Sequence, residues 1–271
     1  MALHLIDTHC HVHEIEAPLT PVHNKWFSDG VARTAEMVLA AAHDAGVDRM
    51  IVIGTSLADS ELAVRFAQAH DNVWASIGIH PHEAKDHRSP EQKERFRVLA
   101  AEPKVAAVGE CGLDYFYDLS PHDAQVELLH FQLEVAQAHH LPLSFHVREA
   151  FDDFWPIFEH YPGIRGVLHS FTDSQAHMLH AVDLGLYIGV NGIATFPSSA
   201  AQRVTYRTIP QHRLLLETDA PFLTPVPFRG KVCEPKHVAN TAEFLARLRG
   251  EPLEELAVAT THNAEALFTL P

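Results

Sequence analysis

Residues 3–11, Leu-His-Leu-Ile-Asp-Thr-His-Cys-His, form an apolar, β-rich run that ends in two histidines two positions apart. In an extended chain residues i and i+2 point to the same face, so His9 and His11 can bind one ion while Cys10 points away. An isolated His-x-His is weak evidence in a chain with 22 histidines. Its place at the end of a predicted strand gives it weight, because the pattern continues along the chain.

After the first run at 3–7, short β-rich runs recur at 50–54, 74–78, 106–110, 143–146, 166–169, 186–190 and 214–217. Between them lie amphipathic stretches with apolar residues three and four apart, at 31–45, 59–69, 121–140 and 174–183, and two more close the chain at 235–248 and 253–267. Ser120-Pro121 reads as an N-cap followed by proline at the first helical position. Eight β/α units without repeats, low-complexity tracts or a Gly/Ser linker predict one α/β domain over residues 1–271. The expected architecture is a single (β/α)8 TIM barrel with C-terminal helices, with a doubly wound open sheet as the rival. The stretch 14–30, carrying Pro18, Pro21, Trp26 and Phe27, is the least regular. It reads as a loop over the active-site face, either a lid or a surface insertion.

Other ligand-type residues fall at corresponding places. Glu110 ends the fourth predicted strand, His146 the fifth and His169 the sixth, and Asp219 follows the eighth. Each sits at a carboxyl end, where barrel enzymes build their sites. Any one alone reads as a satisfied buried polar residue; their joint placement is hard to obtain by accident. Four imidazoles and two carboxylates suit two divalent ions, with magnesium, zinc and manganese all open. Glu110 can bridge, since a carboxylate has two oxygens. Such a pair of ions can activate water and clamp the oxygens of an ester. Asp219 can bind an ion and take a proton from the water, which makes it the candidate general base.

Bulk properties narrow the rest. A formal charge of −15 with no basic stripe argues against a broad nucleic-acid surface or a membrane partner. Bound divalent cations would reverse the local sign at the pocket, so a phosphate-bearing substrate fits. The sequence shows neither a signal peptide nor a membrane span, and the expected compartment is the cytoplasm. Three cysteines far apart and without Cys-x-x-Cys spacing predict reduced thiols. A GxSxG elbow and a phosphate-cradling P-loop are both absent.

An ordered set of motifs spans nearly the whole chain: Asp7-Thr-His-Cys-His11, Ile77-Gly-Ile-His-Pro-His82, Gly109-Glu-Cys-Gly-Leu-Asp114, His146-Val-Arg148, His169-Ser-Phe-Thr172, Glu217-Thr-Asp-Ala-Pro221, and Arg229-Gly-Lys231 with Glu234-Pro235. In these the chain resembles the TatD-like metal-dependent hydrolases of the amidohydrolase superfamily. The resemblance implies a TIM barrel and a two-metal site in which His9, His11, Glu110 and Asp219 hold one ion, with Glu110, His146 and His169 holding the other. It also implies a phosphodiesterase, a deoxyribonuclease removing nucleotides from a DNA end, with His80 as a substrate contact. Asp173 stands where members often have Gly, and Cys233 where Asn is common; neither is a metal ligand, so they bear on substrate preference. The stretch 14–30 also looks longer than usual.

Around the metals, Arg148 lies two residues beyond His146 and can pair with a phosphate or fix a neighbouring carboxylate. Arg229, with Lys231 beside it, offers a bidentate fit to phosphate oxygens. Asn191, at the end of the seventh strand, is a candidate pocket amide. His139, His140, His177 and His180 read as solvated helix residues. The alternative activities are hydrolysis of a lactone, amide or other ester by the same metal cage, and a noncatalytic metal-binding scaffold. No obligate protein partner is evident.

Overall fold

In the computed structural model, which describes residues 3–18, 20–196 and 201–271, eight strands alternate with helices. They are β1 (Leu5–Cys10), β2 (Val47–Ile53), β3 (Val73–Ile77), β4 (Val105–Asp114), β5 (Leu143–Arg148), β6 (Gly166–Leu168), β7 (Tyr187–Val190) and β8 (Leu214–Leu216). The strands lie in sequence order in one sheet, and the fold is a (β/α)8 barrel. Nearly every strand position is buried or half-buried, and β2, β6, β7 and β8 are rich in Val, Ile and Leu, the pattern of parallel strands covered on both faces.

The helices are α1 (Pro21–Trp26), α2 (Ala35–Asp44), α3 (Leu57–Ala69), α4 (Pro90–Leu99), α5 (His122–His139), α6 (Phe151–Glu159), α7 (Gln175–Asp183), α8 (Gln202–Thr208), α9 (Val238–Arg249) and α10 (Leu253–Phe268). Side-chain oxygens start several of them. Thr34 accepts from Met37 N–H, Ser56 from Asp59 N–H and Ser174 from His177 N–H, while Ser89 and Gln92 form a reciprocal capping box. α5 begins one residue later than predicted. Pro121 occupies the N-cap position, and Ser120 instead donates to the His82 carbonyl at 2.7 Å.

The stretch 14–30 is not a structureless loop. It contains the end of a short 3-10 helix, Val12–Glu16, and all of α1. Thr20 caps α1 and Pro21 occupies its first turn, a start signal that the density of prolines conceals. Trp26 is fully buried and its indole N–H donates to the His11 carbonyl at 3.0 Å.

The chain packs as two compact units, Met1–Val52 with His169–Pro271, and Ile53–Leu168. In the first, β1 runs parallel to β2 and β7 to β8, Cys10 bridges to Ala220, and α10 packs on β1 and β8. Arg33 is the tie of its surface segment. The guanidinium takes both oxygens of Asp29 at 2.7 Å, Glu234 Oε1 at 3.0 Å and the Trp26 carbonyl at 3.0 Å. In the second unit β3, β4, β5 and β6 are parallel in order, with α3 on β3 and α5 on β4.

Candidate metal centre

In the first unit, the extended β1 sends Cys10 Sγ toward the Ile51 carbonyl, at 3.6 Å, and His9 and His11 toward Asp219. His9 Nε2 lies 3.7 Å and His11 Nε2 3.4 Å from Asp219 Oδ1. These separations exceed a good hydrogen bond. Two ligands about 2.1 Å from one ion at a tetrahedral angle would sit about 3.4 Å apart, so the spacing suits donors that share a cation. Asp219 follows β8 on a left-handed backbone, φ 60°, and its N–H donates to the His9 carbonyl at 2.8 Å. A non-glycine residue in that region is strained, and such residues cluster where the surrounding structure fixes a functional group. Burial alone would raise the Asp219 carboxyl; the neighbouring His11, His169 and His9 imidazoles hold it below its ordinary value.

Behind these donors stands a layer of buried acids. Asp7 accepts from the Thr218 hydroxyl at 2.5 Å and the Thr218 N–H at 2.9 Å, joining the middle of β1 to the residues after β8. His169 stacks on His9 with ring centroids 3.7 Å apart, and its Nδ1 lies 3.2 Å from Glu217 Oε1. That same oxygen accepts from Ser170 N–H at 2.6 Å. A carboxylate behind a histidine fixes its ring and raises its basicity as a ligand.

In the second unit, β4 carries Glu110 between two neighbours that approach closely. A Cβ on Gly78 would lie 2.3 Å from Glu110 N, and one on Gly112 would lie 1.9 Å from the His146 carbonyl, with Gly112 at φ 146°. Only glycine permits both. His146 then faces two carboxylates, with Nδ1 2.9 Å from Glu110 Oε1 and Nε2 2.8 Å from Asp114 Oδ2. His80 Nε2 lies 3.4 Å from Glu110 Oε1, and His82 Nε2 3.0 Å from Asp114 Oδ2. Burial pushes the His80 imidazole down to about 4, against the opposing charge of Glu110, so the ring is neutral at pH 7. Burial would raise Asp114, but hydrogen bonds from His146 and His82 hold it far below the usual carboxylate range.

Each unit by itself therefore gathers a donor set that could hold a cation, His9, His11 and Asp219 in one and His80, Glu110 and His146 in the other, with ligand atoms within 4.8 Å of one another. Two imidazoles and a carboxylate match the preferences of a divalent transition ion or zinc. His80, expected as a substrate contact, lies beside Glu110 and His146 among the candidate donors. The supporting acids Asp114 and Glu217 were missed as functional residues although both stand in the quoted motifs. Ordinary acids after a strand look the same in sequence.

The expected substrate contacts are placed differently. Arg148 ends β5, exposed, with its guanidinium 4.0 Å from the Phe116 ring centroid and 4.8 Å from that of Tyr117. Arg229 is exposed over Phe196 at 4.0 Å, and Lys231 is exposed beside Phe228. Asn191 is buried; its amide donates to Ser170 Oγ at 2.9 Å and its oxygen accepts from Ile193 N–H at 3.1 Å. The amide thus braces Ser170 and the turn after β7.

The sequence profile of the family described as TatD related DNase matches residues 6–269. The chain belongs to this family. It is similar to the uncharacterized metal-dependent hydrolase YabD of Bacillus subtilis, 37% identical over 237 residues that cover 87% of this chain and 92% of that protein. It is equally similar to the 3'-5' ssDNA/RNA exonuclease TatD of Citrobacter rodentium, 37% identical with 85% and 90% covered. The crystal structure of YJJV, a TatD homologue of Escherichia coli K12, superposes with a TM-score of 0.87 at 32% identity, covering 100% of both chains. The TatD-family chain is a metal-dependent hydrolase, and no helix among its described residues is long and apolar enough to cross a membrane.

Proposed function

We propose that this TatD-family hydrolase is a cytoplasmic exonuclease that removes nucleotides from single-stranded DNA or RNA ends, working as one barrel domain over residues 1–271. The observation that carries the reading is the pair of donor clusters, each joining two imidazoles to a carboxylate at spacings suited to a shared cation. Relatives named as single-strand exonucleases at about the same identity over most of the chain point to the substrate.

In this proposal His9, His11, Glu110 and Asp219 hold one divalent ion and Glu110, His146 and His169 the other, as the family resemblance implies. Magnesium, zinc and manganese are the candidates. When bound, the ions supply Lewis-acid stabilisation of charge on a phosphoryl group. Asp219, its carboxyl held ionised, accepts the proton of the attacking water. Asp114 and Glu217 orient His146 and His169 from behind. His80, neutral and close to Glu110, reaches a phosphate oxygen, and Arg148 and Arg229 supply exposed guanidinium groups for flanking phosphates. Asn191 acts through Ser170 and contributes to the pocket wall. The acidic surface disfavours a grip on long duplex and leaves a frayed end as the accessible form.

The test is a metal-supplemented screen of single-stranded DNA, RNA, a phosphodiester reporter and a lactone series on one preparation. The expected result is shortening of the single strands from an end. Turnover of the lactones alone would replace this reading with the lactonase alternative.

A further inference from the structure

Resting on the nuclease reading, we infer that Phe116 and Tyr117 form a base-stacking platform for the single-stranded substrate, braced by Arg148. The three consecutive aromatic residues after β4 are treated differently by the fold. Tyr115 is half-buried, its ring stacked on His122 at 3.6 Å and its hydroxyl given to Asp153 at 2.8 Å. Phe116 and Tyr117 are large apolar side chains left 49% and 52% exposed.

Their exposure is held in place. Asp114 Oδ1 accepts the N–H groups of both Phe116 and Tyr117 at 3.0 Å, while its other oxygen holds His146 and His82. One carboxylate thus ties the aromatic turn to the donor cluster. The Tyr117 ring lies 5.5 Å from the His82 ring, which lies 4.3 Å from that of His80. The platform is therefore set two rings away from the cluster that would hold the scissile phosphate.

The chemistry of the face selects its occupant. Arg148 spreads over both rings, and among the described residues no carboxylate pairs with it. A guanidinium held against exposed rings, on a protein with net charge −15, offers a local cation beside flat π surfaces. Unstacked bases joined by phosphates match that combination, and stacking tolerates any base, as an end-digesting enzyme requires. Inside a duplex the faces of each base are taken by its stacked neighbours, so the platform also favours single strands over duplex.

The test compares steady-state KM for a labelled single-stranded DNA 12-mer with that for the same strand carrying abasic residues at its three terminal positions. Stacking contributes about 1–3 kcal/mol per base, so KM of the wild type should rise roughly 5- to 150-fold on the abasic strand. In F116A/Y117A the two strands should give the same, higher KM, and F116W should restore the preference. A double variant that keeps the wild-type ratio overturns the platform while leaving the nuclease reading intact. A wild type that shortens neither strand while turning over lactones refutes both. A wild-type dimer that F116A/Y117A converts to a monomer would assign the face to a second copy and also overturn the inference.

Discussion

Replacing Arg33 by methionine keeps most of the apolar stem and deletes the guanidinium that ties the segment around α1 to Glu234. The side chain of Arg33 is only 7% exposed, against 21% for Asp29 and 13% for Glu234. Breaking a buried pair costs about 3–5 kcal/mol because the remaining carboxylates stay uncompensated. Asp29 keeps some water and Glu234 keeps Lys236 at 2.6 Å, so the expected loss is at the lower end, about 3 kcal/mol. For a chain of this size that is a fall in Tm of roughly 6–12 °C. Urea unfolding of the two proteins at pH 7 measures it directly.

The same pair should carry a pH signature. The Arg33 hydrogen bonds hold Asp29 well below its ordinary value of 3.8, and Lys236 with Arg33 hold Glu234 below 4.5 despite burial. Both folded values are depressed, so the unfolded chain takes up protons first as the solution is acidified. The stability from Arg33 is complete above the ordinary carboxylate values and is lost as pH falls through the folded ones. The gap between wild type and R33M should be constant from pH 6 to 8 and shrink below about pH 4.5. A loss under about 1 kcal/mol at pH 7, as for a surface ion pair, or a gap unchanged in acid, would refute the argument.

Three further outcomes follow from the centre. Glu110→Gln should lower bound metal from two ions per chain to one or fewer by elemental analysis; two retained ions would remove Glu110 from the bridge. Asp219→Asn should cut kcat by about 100-fold or more on the phosphodiester reporter, and an undiminished kcat would end its role as base. Gly112→Ala brings a Cβ to within 1.9 Å of the His146 carbonyl at φ 146°, so it should destabilise the fold by about 3 kcal/mol or more; wild-type melting would contradict the close approach of β4 and β5.

The strands were legible because buried parallel strands are short apolar runs, and their carboxyl ends located His9, Glu110, His146, His169 and Asp219 without tertiary information. Strand length was not. β4 continues to Asp114 in register with Arg148, so Asp114 points back at the donors from what reads as a loop. α4 and α6 escaped notice for local reasons: α4 buries only Phe96 on a charged helix, and Pro156 interrupts the pattern of α6. α1 was hidden by its prolines, although Thr20-Pro21 is itself a helix start. His80 could not be told from a loop histidine, since its closeness to Glu110 depends on β3 and β4 lying side by side.

The donors also come off the ribosome in a definite order. His80, Glu110 and His146 belong to one continuous segment, Ile53–Leu168, whereas His9 and His11 must wait for Asp219 and for α10, whose Thr261 hydroxyl donates to the His4 carbonyl at 2.7 Å. Domains emerge and fold from the N-terminal side, and here His9 and His11 are made long before the carboxylate they face. A chain that stops before Asp219 would hold the His80, Glu110 and His146 cluster while His9 and His11 still lack the carboxylate they face.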